Sequence, residues 1–169
     1  AAELGQIYTS VDSGVTWTPR EANRGWKSVA SSADGTTLIA AGENTNVYRS
    51  TDSGVSWAGT STPIKTWNGV ALSADGTKMV AVAQNDYIYT SLDSGITWIQ
   101  QLPVRFWGSV ASSADGSLLF AGTGGGQIYV NNSRATTEMT GGRGSSVELV
   151  YLGDGKFYIL NSQGSNTGF

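Results

Sequence analysis

Between residues 26 and 57 apolar and polar positions alternate in short stretches separated by glycine-containing turns. In Trp26–Ser31 the residues Trp26, Ser28 and Ala30 face one way and Lys27, Val29 and Ser31 the other, the period of a β-strand. Ala33-Asp34-Gly35 closes that strand. Residues 36–42 (TTLIAAG) read as a second strand and 46–50, with Val47 and Tyr48, as a third. A fourth, carrying Val55 and Trp57, follows the turn Asp52-Ser53-Gly54. Asp-Gly and Asp-x-Gly between apolar runs are hairpin signals, because glycine supplies positive φ and the carboxylate accepts hydrogen bonds from the turn's own amides. The stretch therefore predicts one antiparallel four-stranded sheet.

The same pattern recurs. YTSVDSGVTW begins at Tyr8, YRSTDSGVSW at Tyr48 and YTSLDSGITW at Tyr89, spacings of 40 and 41. A second motif interleaves with it, WKSVASSADG from Trp26, WNGVALSADG from Trp67 and WGSVASSADG from Trp107. Four short strands in a unit of this length are the signature of a propeller blade. First strands centre on Val29, Val70, Val110 and Leu149, and third strands contain Tyr8, Tyr48, Tyr89 and Tyr129. Fourth strands are expected to contain Trp17, Trp57, Trp98 and the region of Glu138.

The expected fold is all-β, a single four-bladed β-propeller domain over residues 1–169 with antiparallel four-stranded blades. Its blades span about 26–59, 67–100 and 107–140, with a fourth, 147–163, completed by 5–19. Pairing of N- and C-terminal strands would close the ring and hide two sheet edges. Exchange of half-blades between copies is the other closure and makes a homo-oligomer. The Ala-Ala start fits a processed, exported protein, extracellular or periplasmic.

The Ser-x-Asp-x-Gly-x-Thr/Ser-Trp pattern at residues 10–17, 50–57 and 91–98 resembles the Asp-box of sialidase-type (BNR) propellers. With the Trp-led first strand, the chain is also similar to the propellers of photosystem II assembly factors related to Ycf48 and of sortilin-type receptors. The resemblance implies a propeller in which the Asp-box is a structural turn distant from the ligand face. The fourth copy departs from it, with Ser133, Ala135 and Glu138 where Asp, Gly and Trp belong.

Composition narrows the chemistry. The chain has 169 residues, Gly 23, Trp 6, Tyr 7, and only 14% charged residues, a mixture suited to strands and tight turns. Without cysteine or histidine it has no disulfides, no thiol nucleophile and no imidazole base. A net charge of -3 gives no general attraction to nucleic acid or anionic membranes, and no apolar run is long enough to insert. No metal or cofactor is expected.

Asp12, Asp52 and Asp93, each with its glycine (Gly14, Gly54, Gly95) and tryptophan (Trp17, Trp57, Trp98), read as structural turns, as do Asp34, Asp75, Asp115 and Asp154. Trp17, Trp57 and Trp98 are expected to pack between sheets. A cation stands two residues before each first-strand tryptophan: Arg24 before Trp26, Lys65 before Trp67, and Arg105 with Phe106 before Trp107. Arg143 holds a similar place in the fourth unit, and Glu148 is a candidate ion-pair partner for it. The first strand of a propeller is innermost, so these cations are expected at the mouth of the central channel, where converging guanidinium and ammonium groups form an anion site. Stacking of the cations on the tryptophans is the alternative.

The sialidase Arg-Ile-Pro motif is absent, and a glycosidase needs two carboxylates in unlike environments, so no enzymatic activity is expected. The Gly-rich run 122–126 follows a strand and opens no helix, which makes it a hairpin loop rather than a phosphate cradle. Three functions fit. They are recognition of an acidic peptide or anionic ligand by the mouth face, multivalent glycan binding by tryptophan stacking, and self-assembly.

Overall fold

The computed structural model describes residues 4–132, 138–139, 146–151 and 157–163, and every regular element among them is a strand. β1 (Gly5–Thr9) and β2 (Thr18–Arg24) form a two-stranded sheet. β3 (Trp26–Ser31), β4 (Leu38–Gly42), β5 (Tyr48–Ser50) and β6 (Ala58–Gly59) form the first complete blade. The second contains β7 (Trp67–Leu72), β8 (Met79–Ala83), β9 (Asp86–Ser91) and β10 (Ile99–Arg105). The third contains β11 (Trp107–Ser112), β12 (Leu118–Thr123), β13 (Ile128–Asn132) and β14 (Glu138–Met139). β15 (Ser146–Tyr151) and β16 (Phe157–Gln163) make a second two-stranded sheet. Every pair of neighbours is antiparallel, in chain order.

The tryptophans of the repeated turns do not lie in the fourth strands, where the periodicity puts them. Trp17, Trp57 and Trp98 each precede the strand, because the indole N–H folds back to donate to the carbonyl of Gly14, Gly54 or Gly95 at 3.0–3.1 Å. The expected packing between sheets is correspondingly incomplete. Trp17 is 60% exposed and Trp57 and Trp98 are half-buried, Trp98 lying against the core. β10 also runs past residue 100 to Arg105, so the second blade hands over to the third through Phe106 alone. Within the described ladders β1 pairs with β2 and β16 with β15, and the rung expected to join β16 to β1 is not among them.

The core lies between blades. One layer holds Ile39, Ala41 and Val47 of the first blade against Trp67, Val70, Leu72 and Met79 of the second. The next holds Val80, Val82 and Ile88 of the second blade against Trp107 and Ala121 of the third. β8 contributes alternate residues to both layers, which is why MVAVA is apolar throughout instead of alternating.

Successive first strands approach closely. A Cβ on Gly69 would lie 3.4 Å from the Val110 nitrogen, so a small residue is required there. Hydrogen bonds cross the same boundaries: Val70 N–H donates to Ser28 Oγ at 3.1 Å and Asn68 Nδ2 to the Trp107 carbonyl at 2.7 Å. The Ala-Asp-Gly turns are linked in series, Ala33 N–H to the Ala74 carbonyl at 2.8 Å and Ala74 N–H to the Ala114 carbonyl at 2.6 Å. Lys27, Asn68 and Gly108 fall at a register shift in the three first-strand hairpins, whereas the β15–β16 hairpin shifts between Glu148 and Leu149.

Candidate binding site

The predicted cations occupy equivalent rungs. Arg24 pairs with Gly5, Lys65 with Thr45 and Arg105 with Asp86, each at the end of a fourth strand or its extension, immediately before the next blade's first strand. From there each side chain crosses to the following blade. The Arg24 guanidinium lies 4.7 Å from the ring centre of Tyr48, and Arg105 lies 4.9 Å from that of Tyr129. Lys65 Nζ instead meets Asp86 Oδ2 at 2.7 Å, beside Tyr89. The hydrogen bond that Lys65 donates to Asp86, followed by the charge of that carboxylate, raises the Lys65 pKa, and burial raises that of Tyr89.

Beneath the three cations lie three tyrosine–tryptophan pairs in edge-to-face contact. Trp26–Tyr48, Trp67–Tyr89 and Trp107–Tyr129 have ring centres 5.1–5.4 Å apart. The tyrosines are not among the expected site residues, although the sequence carries a signal for them: each stands twenty-two residues after its tryptophan. The cation–aromatic alternative therefore describes Arg24 and Arg105, and an acid holds Lys65.

Trp67 and Trp107 are fully buried, which removes them as stacking surfaces for a ligand; Trp26 is half-buried, and Phe106 is 46% exposed beside Gly124. A Cβ on Gly124 would meet the Phe106 ring at 2.7 Å, so the Gly-rich hairpin loop is the shelf on which Phe106 rests. Arg24 is also engaged by Glu21 at 3.3 Å, an acid outside the repeated motifs. Among the described residues Arg105 is the member of the three with no carboxylate partner. Arg143 and its suggested partnership with Glu148 lie outside what is described.

The Trp67 indole donates to the Thr45 carbonyl at 2.8 Å, across the blade boundary, whereas the buried Nε1 atoms of Trp26 and Trp107 have no acceptor among the described residues. Trp67→Phe is accordingly expected to cost about 1 kcal/mol more than Trp107→Phe, the worth of one buried hydrogen bond. Urea midpoints followed by circular dichroism check this.

The turn carboxylates are saturated locally. Asp12 Oδ1 accepts from Ser10 Oγ and Thr16 N–H, both at 2.8 Å, and Oδ2 accepts from Thr16 Oγ1 at 2.6 Å. Asp52 and Asp93 repeat this with Ser56 and Thr97, and Asp34, Asp75 and Asp115 bind the serine two residues before them. These bonds, the side-chain hydroxyls first, hold Asp12, Asp34, Asp52, Asp75 and Asp93 at a pKa of about 2, and Asp115 is also lowered. Carboxylates so occupied are poor bases and poor metal ligands, and no acidic cluster suited to a metal occurs among the described residues.

No family model and no curated protein matches the chain. Solved structures do. YCF48 bound to D1 peptide superposes with a TM-score of 0.55 at 16% identity, covering 68% of this chain and 40% of that one. The WD40 repeats of RRP9 give 0.63 at 13%, covering 79% and 43%, and the GH74 enzyme of Niastella koreensis 0.53 at 20%, covering 84% and 22%. The chain thus spans less than half the length of each. At these identities the likeness concerns architecture: repeated antiparallel four-stranded sheets, packed face to face through interblade layers, give this chain a β-propeller fold.

Proposed function

We propose that this protein is an exported, non-catalytic binding propeller that takes an acidic protein segment on the face where fourth strands hand over to first strands. The observation that carries the reading is the repeated cation at that handover, with Arg105 meeting no carboxylate among the described residues and Phe106 exposed beside it. A guanidinium preoriented by an aromatic ring presents its N–H fork to a carboxylate at low entropic cost, and a neighbouring apolar ring accepts the flanking side chain. Arg143 extends the series to a fourth boundary in this reading, and the Asp-box turns are structural. That a structurally similar protein, YCF48, is bound to D1 peptide supports a protein segment as the ligand. Glycan stacking has less to work with, because Trp67 and Trp107 offer no surface.

The test is titration of a labelled oligoglutamate peptide. Arg24→Ala with Arg105→Ala is expected to weaken binding about tenfold or more, the size of a lost charged hydrogen bond, while leaving the urea midpoint near that of the parent. Arg105→Ala alone should account for most of the loss, since Glu21 already occupies Arg24. Unchanged affinity in the double variant refutes the proposal.

A further inference from the structure

Each handover cation meets the following blade beside the hairpin that joins its second and third strands, and the three hairpins enter alike. Glu43 N–H donates to the Gly25 carbonyl at 2.9 Å, Gln84 N–H to that of Thr66 at 3.1 Å and Gly124 N–H to that of Phe106 at 3.0 Å. Counting back three residues from Tyr48, Tyr89 and Tyr129 gives Thr45, Asp86 and Gly126. Asp86 alone of these is an acid. It is buried, and its carboxylate accepts from Lys65 Nζ at 2.7 Å, from Tyr87 N–H at 2.8 Å and, more weakly, from the Tyr89 hydroxyl at 3.4 Å. A cation, a main-chain N–H and a tyrosine hydroxyl thus form a seat for one carboxylate, and the second blade fills it from within.

The third blade has the cation and the tyrosine, but its hairpin brings no acid. Arg105 stands over Tyr129, residues 124–126 are all glycine, and a Cβ on Gly126 would meet no described atom within 4 Å. The turn also bends differently, with positive φ at Gly126 where the first two hairpins have it at Asn44 and Asn85. The Tyr129 hydroxyl donates to the neutral Gln127 Oε1 at 2.9 Å, so nothing in this hairpin offsets the guanidinium charge. On the acidic-segment reading of this face, we propose that Asp86 is an internal competitor of the ligand. It holds in the second blade the position that an aspartate or glutamate side chain of the bound segment takes beside Arg105 in the third. The second seat opens to the segment only when the Asp86 carboxylate is removed from Lys65.

Titration of labelled oligoglutamate tests this. Asp86→Ala frees Lys65 Nζ and is expected to tighten binding about tenfold or more, the size of one charged hydrogen bond gained. Asp86→Asn keeps an acceptor for Tyr87 N–H while dropping the charge, and carries the same test if circular dichroism shows the alanine variant unfolded. Two further variants should show no such gain. Asp52→Asn makes the same change of net charge in a structural turn, and Glu138→Gln removes the acid whose backbone stands on the rung opposite Tyr129. An equal gain in Asp52→Asn would reduce the effect to overall charge, and an equal gain in Glu138→Gln would make Glu138 the occupant of the third seat; either overturns the proposal. Weakening by Arg105→Ala with no gain in either Asp86 variant overturns the competitor and leaves the acidic-segment reading standing, whereas no binding by the parent or the Asp86 variants overturns both.

Discussion

Replacing Trp67 with alanine is expected to cost about 3–5 kcal/mol, a large part of the stability of a domain this size and enough to populate the unfolded chain at room temperature. Trp67 has no exposed surface, makes edge-to-face contact with Tyr89 at 5.1 Å, packs in the layer between the first and second blades, and donates to Thr45. Its removal leaves a cavity in that layer and takes away one of the two hydrogen bonds that the Thr45 carbonyl accepts, the other coming from Lys65 N–H. The same change at Trp17 should cost about 1 kcal/mol or less, because that ring is mostly in water. Urea denaturation followed by far-ultraviolet circular dichroism separates the two, and equal midpoints would contradict the division between first-strand and turn tryptophans.

Acidification is the second large effect. Asp12, Asp34, Asp52, Asp75 and Asp93 have folded pKa values of about 2 against 3.8 for the free side chain, and Asp115 is lowered too. A folded pKa below the unfolded one means that the unfolded chain binds protons first as pH falls. The stabilisation is complete above about pH 4 and is lost as the medium is taken from there toward about pH 2. The transition should be steep because several repeated turns protonate over the same interval. Thermal scans from neutral to strongly acidic pH measure it. Asp52→Asn, which keeps an acceptor for Ser56 while removing the titration, should flatten the profile, and an unaltered slope would assign the acid sensitivity elsewhere.

Much of this architecture is legible in the residues alone. The spacing of 40 and 41 between Tyr8, Tyr48 and Tyr89 and the Asp-Gly punctuation locate strand after strand, since turn chemistry and period-two alternation are local properties. The roles of the two tryptophan sets are harder to read. Both recur in phase, and recurrence does not say which set faces a neighbouring blade; the indoles of Trp57 and Trp98 turn back on their own glycines. The cations at 24, 65 and 105 are identifiable from their fixed distance to a tryptophan. Their partners are not, because Tyr48, Asp86 and Tyr129 belong to the following blade and are remote in the chain.

The repeat, the strand order within each blade and the residues of every tight turn follow from the amino-acid order, because they depend on interactions within a dozen residues. It takes the folded chain to make Trp67 and Trp107 core, to leave Arg105, among the described residues, without the acid its two counterparts possess, and to expose Tyr8 of β1 and Val29 of β3. Those properties arise where one blade meets another, and burial or charge pairing across such a boundary depends on the curvature accumulated over the whole chain.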